Sequence, residues 1–382
     1  MVVDGLLGIG AKDAPDAIFT AAIRFVNALS RHALILSVDV PSGMSADTGE
    51  TPGACVLADV TLALAAPKLG FTNESAHPWL GHVAVADIGI PREWQNSNHP
   101  ATFVCAPDLS DLLPARRYDA HKGMFGRVLV IGGSRDTAGA SILASRAALL
   151  AGAGVVTYAG SVVTRDACLA HHPEIITEPL DSTLKLDKYQ TIVVGPGLGV
   201  SESARRLVAH VLEVAPSPLV LDADALNVLP AELPRAERIV ITPHPGEAAR
   251  LLGQSIQYVV KNRVEAVQTL ADRFGCVAVL KGAGTLVARP GGVRALNLTG
   301  NPGMAVAGAG DVLAGITGAM LGRGLEPYDA ARLAVWLHSV AGDCLAWKIG
   351  QECLVAGEIP SALPEAFSIL RAEGAHVPGD GP

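Results

Sequence analysis

Apolar runs of strand length alternate with amphipathic stretches of helical length along most of the chain. The first run, Met1-Val-Val-Asp4, is followed by a stretch from about Asp16 to Ser30 that sets Ile18, Phe19, Ala22, Ile23 and Val26 on one helical face. The fully apolar run 33–39 and the runs 60–65 and 83–88 predict further strands. Prolines 91, 100, 107 and 114 and the polar Gln95-Asn-Ser-Asn98 then mark a junction, with a boundary near residue 98. Beyond it, strands are predicted at 127–131, 155–159, 191–194, 219–221, 238–241 and 277–280, and helices at about 141–151, 201–214, 246–252 and 259–274. Strands that are apolar throughout and separated by helices predict an α/β fold with a mostly parallel central sheet flanked by helices. The expected division is a smaller α/β segment over 1–97 and a larger domain over 98–375.

Composition narrows the partners. Of 382 residues 49% are hydrophobic, enough for a sizeable core. Lys and Arg number 29 against 37 Asp and Glu, a net charge of −8 without any basic run, and aromatics are 4%, so nucleic acid is not an expected partner. Cysteines 55, 105, 168, 276, 344 and 353 are scattered without Cys-x-x-Cys spacing, which disfavours structural zinc and a disulfide framework and fits a reducing cytoplasm. The N-terminal residues carry no basic region and no usual signal cleavage pattern. The uncharged run 147–164 approaches membrane-spanning length, but glycines 152, 154 and 160 break it, so it reads as a helix end, a turn and a buried strand, with no membrane partner.

The candidate chemistry lies after the strands of the larger domain. In order come Gly195-Pro-Gly-Leu-Gly199, Asp222-Ala-Asp-Ala-Leu-Asn227, Thr242-Pro-His-Pro-Gly-Glu247 and Lys281-Gly-Ala-Gly-Thr285. Glycine, acid, histidine, lysine and hydroxyl groups thus collect at the carboxyl edge of one sheet, where open α/β sheets bind ligands. Glycines 300, 303, 308 and 310 then feed a helix-length apolar run through Val312, Leu313, Ile316 and Met320. A glycine loop running into a helix start favours anions. Asp311 at that point is either a helix cap or a base aimed at a hydroxyl beside bound phosphates. Asp222 and Asp224 either orient Mg²⁺ through water or form a turn. His244, rigid between two prolines, either caps its turn or binds a substrate group, and Glu247 is a favourable charge at a helix start. His338 reads as a packed core histidine and His171-His172-Pro-Glu174 as a loop. Asp4 and Asp39 stand at strand ends of the first segment, as turn residues or ligand contacts.

Those four ordered stretches, with Gly300-Asn-Pro-Gly-Met304 and Gly308-Ala-Gly-Asp311 as the fifth, resemble the ADP/ATP-dependent NAD(P)H-hydrate dehydratases of the ribokinase-like fold over residues 101 to 370. The first segment resembles the C-terminal half of the NAD(P)H-hydrate epimerase domain, a partial Rossmann-like α/β unit, through residues 3–10, Asp39-Val-Pro-Ser-Gly43, 58–61 and Asp87-Ile-Gly-Ile-Pro91. The resemblance implies repair of nicotinamide cofactor, in which (S)-NADHX or (S)-NADPHX loses water to regenerate NADH or NADPH. ADP would be the phosphoryl donor, with ATP open, and Mg²⁺ would bridge the phosphates. Asp311 would be the base, with the N–H groups of Ala309 and Gly310 stabilising the transferring phosphoryl group. Lys281, Gly282, Ala283, Gly284, Thr285 and Gly310 would hold the nucleotide. Ala140, Gly197, Gly199 and His244 would line the hydrate pocket. Asp4 and Ser42 would be potassium ligands, Asp39 would contact substrate and the loop after Gly8 its phosphates. No counterpart of the epimerase's preceding half-domain is found, so little or no epimerase activity is expected, the segment being a truncated remnant or the chain start lying downstream of the true one. A homo-oligomer is expected. The competing readings are a ribokinase-like kinase of a small alcohol or vitamin precursor, and a non-catalytic nucleotide sensor.

Overall fold

The computed structural model describes residues 1–90, 102–103, 109–114, 116–181 and 183–374. Two sheets carry the architecture. The first is all parallel, in the order β1 (Val2–Asp4), β2 (Ile35–Val38), β3 (Val60–Leu64), β4 (His82–Ala86). The second has ten strands: β5 (Thr102–Phe103), β6 (Arg127–Ile131), β7 (Val155–Gly160), β8 (Ile176–Pro179), β9 (Thr191–Val194), β10 (Leu219–Leu221), β11 (Ile239–Ile241), β12 (Val277–Leu280), β13 (Thr285–Arg289) and β14 (Val293–Asn297). Their spatial order is β5-β14-β13-β12-β11-β10-β9-β6-β7-β8, antiparallel only where β13 meets β12 and β14.

The apolar runs of β6 and β9–β11 are buried on both faces, and the two-residue period of a strand sends alternate residues to opposite cores. Val128, Val130, Val193, Val220 and Val240 join one cluster, and Leu129, Ile131, Ile192, Val194, Leu219, Leu221, Ile239 and Ile241 the other. The first cluster is closed by α1 (Ala138–Leu150), α2 (Ala309–Gly322) and α3 (Pro327–Ile349), which are rich in small and apolar residues. A Cβ at Gly315 of α2 would lie 2.1 Å from the Ala144 carbonyl oxygen of α1, and one at Gly318 would lie 2.5 Å from Val193. Glycine at these two positions lets α2 lie against both α1 and the sheet, and this fixes where its N-terminus points.

Several local expectations need correction. The stretch 259–274 is two helices, Ile256–Lys261 and Arg263–Phe274, broken at Asn262, whose backbone (φ −123, ψ 45) is not helical. His171 ends a helix, Val162–His171, that Ser161 starts by accepting from the Thr164 N–H, so the His-His pair is not a free loop. Strands β8, β13 and β14 escaped the apolar pattern; β13 and β14 join through Gly291 and Gly292, both at φ near +90. In the first segment the helix Ala17–Ala28 buries Ile23 against Ile35 and Val56, but Ile18 is 79% exposed, because the four-stranded sheet covers only part of the helix's apolar face. The junction near residue 98 lies outside the described residues.

Candidate active site

The carboxyl ends of β10, β11 and β12 and the start of α2 converge on one lysine. Lys281 follows β12, its N–H held by the Pro243 carbonyl, and its Nζ lies 2.6 Å from Asp222 Oδ1 and 3.9 Å from Glu247 Oε2. A Cβ on Gly310 would sit 3.1 Å from the same Nζ, so glycine there lets the ammonium approach the helix start. Burial alone would lower the Lys281 pKa, but Asp222 and Glu247 together hold it above its ordinary value. Asp222 is 1% exposed, so Lys281 is its charge partner.

Asp311 is the third residue of α2, and Gly308 at φ +94 occupies the cap position. Its carboxylate makes no cap bond, so the cap reading fails. Burial, reinforced by Asp222, Asp224 and Glu247 and opposed by Lys281, pushes the Asp311 carboxyl up to about 7. A carboxyl with that pKa changes protonation state at neutral pH, as a general base requires. The Ala309 N–H already donates to the Val306 carbonyl, so it is a poorer phosphate donor than expected. Among the described residues the N–H groups of Gly310 and Asp311 find no acceptor outside the helix, which leaves them as first-turn donors.

The other expected residues have mixed fates. His244 caps the helix Pro245–Leu252: its Nδ1 accepts from the Gly246 and Glu247 N–H groups, while Glu247 returns a carboxylate to the His244 N–H. This places the proton on Nε2, and the 56% exposed side chain keeps that N–H available, 3.5 Å from Glu247 Oε1. Asp224 is a loop fastener, its Oδ2 accepting from the Gly199 N–H. Gly197 is pinned by Thr137, whose Oγ1 donates to its carbonyl, and Ala140 lies in the first turn of α1 just beyond. Ala283 is exposed, and Thr285 Oγ1 donates to the Gly282 carbonyl. His338 is buried as expected and held near 4 by that burial, against the Ala309 backbone.

Sequence reasoning missed Asp343. From α3 it accepts from the Gly300 N–H and the Asn301 side chain, and so fixes the glycine loop ahead of α2. A carboxylate well inside the apolar helix 327–349, away from Asp329 in its first turn, was the available signal.

In the first segment Asp4 and Ser42 do meet, with Ser42 Oγ donating to Asp4 Oδ1 at 2.6 Å. Asp4 Oδ2 takes the Ser42 N–H and the Ser37 hydroxyl. Asp39, in the left-handed region at φ +70, is ion-paired to Lys68 at 2.5 Å. Among the described residues no helix is long and apolar enough to cross a membrane.

Comparison with known proteins identifies the family. Residues 128–364 match the NAD(P)H-hydrate dehydratase family, and residues 1–70 match the YjeF-related protein N-terminus. The chain is 38% identical to the bifunctional NAD(P)H-hydrate repair enzyme Nnr of Moorella thermoacetica, over 98% of this chain and 74% of that protein. It is 40% identical to the enzyme of the same name from Escherichia coli, over 95% of this chain and 70% of that protein. Among solved structures, the ADP/ATP-dependent NAD(P)H-hydrate dehydratase of Bacillus subtilis, co-crystallised with ATP and Mg²⁺, superposes with a TM-score of 0.65 at 32% identity, covering 71% of this chain and 99% of that one. A ribokinase-like superfamily protein of Enterococcus faecalis gives 0.65 at 29% identity over 72% of this chain and 97% of its own. By these matches the chain belongs to the NAD(P)H-hydrate dehydratase family, carrying a YjeF-related segment ahead of it.

Proposed function

We propose that this chain repairs nicotinamide cofactor by ADP-dependent dehydration of (S)-NADHX and (S)-NADPHX to NADH and NADPH, releasing AMP and phosphate. The observation that carries it is Asp311, a buried carboxyl pushed up to about 7 in the first turn of a helix whose Gly310 and Asp311 N–H groups have no acceptor outside the helix. Hydroxide is a poor leaving group, so the ring hydroxyl is converted to a phosphate ester first. The hydroxyl oxygen attacks the terminal phosphorus of the nucleotide, the bond from that phosphorus to the bridging oxygen breaks, and Asp311 takes the hydroxyl proton. The Gly310 and Asp311 N–H groups stabilise charge on the transferring phosphoryl oxygens. Loss of phosphate from the ring carbon and of a proton from its neighbour then restores the double bond.

Lys281 to Thr285 and Gly310 hold the nucleotide in this reading. Ala140, Gly197, Gly199 and the free Nε2–H of His244 line the hydrate pocket. Asp222 and Glu247 face the Lys281 ammonium, and Asp224 adds a further negative charge near Asp311. In this reading Asp222 and Asp224 would orient a bound Mg²⁺ through water. When bound, Mg²⁺ would neutralise phosphate charge. The family match favours this outcome over a small-alcohol kinase, which would stop at the phosphorylated product.

The test is recovery of dihydronicotinamide absorbance from (S)-NADHX by the purified chain with Mg²⁺ and either ADP or ATP. Recovery with ADP is expected; a phosphorylated hydrate that accumulates without recovery would point to the kinase. In the same preparation the R hydrate is expected to persist at its spontaneous rate, because Asp39 is tied to Lys68 and both Asp4 oxygens accept protein donors. Potassium at Asp4 and Ser42 would have to replace their hydrogen bond. Rapid interconversion of R and S would overturn the epimerase part alone.

The pH profile gives a second check. A base works deprotonated, and Asp311 takes up its proton as pH falls through about 7. The kcat/KM for the hydrate should therefore be level above that value and drop about tenfold per unit below it. A flat profile down to pH 5 would rule Asp311 out as the base.

A further inference from the structure

The loop Lys281–Thr285 is held from behind by the first segment. Arg263, 0% exposed, begins the helix Arg263–Phe274 and turns its guanidinium under this loop. One terminal nitrogen donates to the carbonyls of Leu280 at 3.3 Å, Lys281 at 3.4 Å and Gly284 at 3.1 Å, spanning both ends of the loop. The other reaches Glu74 Oε1 at 2.7 Å, across 189 positions of sequence. Burial pulls the Arg263 pKa down and Glu74 opposes it.

The glycines of the loop report the same contact. A Cβ at Gly282 would lie 3.1 Å from both the Arg263 terminal nitrogen and Glu74 Oε1, and one at Gly284 would lie 2.8 Å from the His77 ring. Close backbone approach at these positions is therefore toward Glu74, Arg263 and His77, whatever the loop's other side binds. His77 is kept neutral, near 4, by burial and by Arg263, so it packs as an uncharged wedge. Beside this contact lies a cleft of about 610 Å³ lined from both parts of the chain, by Glu50, Leu69, Asn73, Lys261, Val264 and Arg294 among others. Arg263, the partner of Glu74, is also part of that lining.

We propose that Glu74 is a positioning residue for the nucleotide loop, acting through Arg263, so that the first segment is built into the dehydratase's nucleotide site. The proposal rests on the reading that residues 281–285 hold the adenine nucleotide. Without Glu74 the guanidinium keeps its charge in a buried place with carbonyl partners only. It must then draw in water or shift, and the loop carbonyls shift with it.

Glu74→Gln keeps the size and removes the charge, and Glu74→Asp keeps the charge one methylene short. In the full chain, Glu74→Gln should raise the KM for ADP, and the Kd for ADP by calorimetry, about tenfold, with kcat and the KM for the hydrate within about twofold. Glu74→Asp should fall between Glu74→Gln and wild type, and it carries the test if Glu74→Gln does not fold. His77→Leu, which keeps bulk at Gly284, should move ADP affinity by less than Glu74→Gln does. An unchanged ADP affinity in folded Glu74 variants, with only a lower thermal midpoint, would reduce Glu74 to a structural contact. Wild-type chain that binds no adenine nucleotide would instead overturn the reading beneath the proposal, and the proposal with it.

Discussion

Asp311→Asn should lower turnover of the hydrate by about 10²-fold to 10⁴-fold, the range a positioned general base supplies. The substitution is unusually clean because α2 is started by Gly308 at φ +94 and not by the Asp311 side chain, so no cap is lost. Stability should move the other way. In the folded chain the Asp311 carboxyl titrates at about 7 against an ordinary 3.8. A raised folded pKa contributes stability that is fully present below the unfolded value and lost as pH rises through the folded one. Above pH 7 the wild type therefore carries an unfavourable buried charge that Asn lacks. Thermal midpoints of the two proteins should coincide in acid and separate in favour of Asp311→Asn at pH 8. Lost turnover together with a higher midpoint cannot come from misfolding. Near wild-type turnover, with the acid limb of the profile still present, would place the base elsewhere.

How much of this was legible in sequence depends on whether the deciding contact is local. The strands β6 and β9–β12 were legible because burial on both faces leaves apolar runs bounded by glycine or acid, and so were the loops that follow them. Strands β8, β13 and β14 were not. They lie toward the sheet's edges, where polar residues such as Glu178 and Arg289 enter the pattern. Whether Asp311 caps or acts was undecidable from its position alone, since the answer turned on the helix starting two residues earlier, at Ala309. His244 proved the reverse case, a cap whose second nitrogen remains free.

Partners distant in sequence were invisible. Lys281 and Asp222 are 59 positions apart, Asp343 and Gly300 are 43, and Arg263 and Glu74 are 189. Arginine in a helix reads as a solvated charge until the fold places it beneath a loop. The glycines of Lys281-Gly-Ala-Gly-Thr285 show a related limit: sequence announces that something approaches the backbone closely, and only the fold identifies the Arg263–Glu74 pair and His77 on that side.

Lys281→Met should be the most damaging change to the site short of removing Asp311, and it acts through charge in two places. Methionine fills the lysine's space, but Asp222, 1% exposed, loses its partner. Breaking a buried pair from one side costs about 3–5 kcal/mol unless the remaining group protonates. The thermal midpoint at pH 8 should therefore lie below that of wild type.

The second effect falls on Asp311. Lys281 is the group that holds the Asp311 carboxyl down against burial, Asp222, Asp224 and Glu247. Without it the base stays protonated to higher pH, and the acid limb of kcat/KM should move up from about 7, leaving activity near neutrality at least about tenfold below wild type. Lys281→Arg, which keeps the charge, should leave the limb closer to its original place even if nucleotide affinity falls. The decisive comparison is the position of the limb and not the height of the plateau, because a weakened nucleotide loop lowers the plateau without moving the base. A Lys281→Met profile scaled down but unshifted would mean that the ammonium serves the phosphates alone. A shifted one would make the Asp222–Lys281 pair the device that sets the working pH of Asp311.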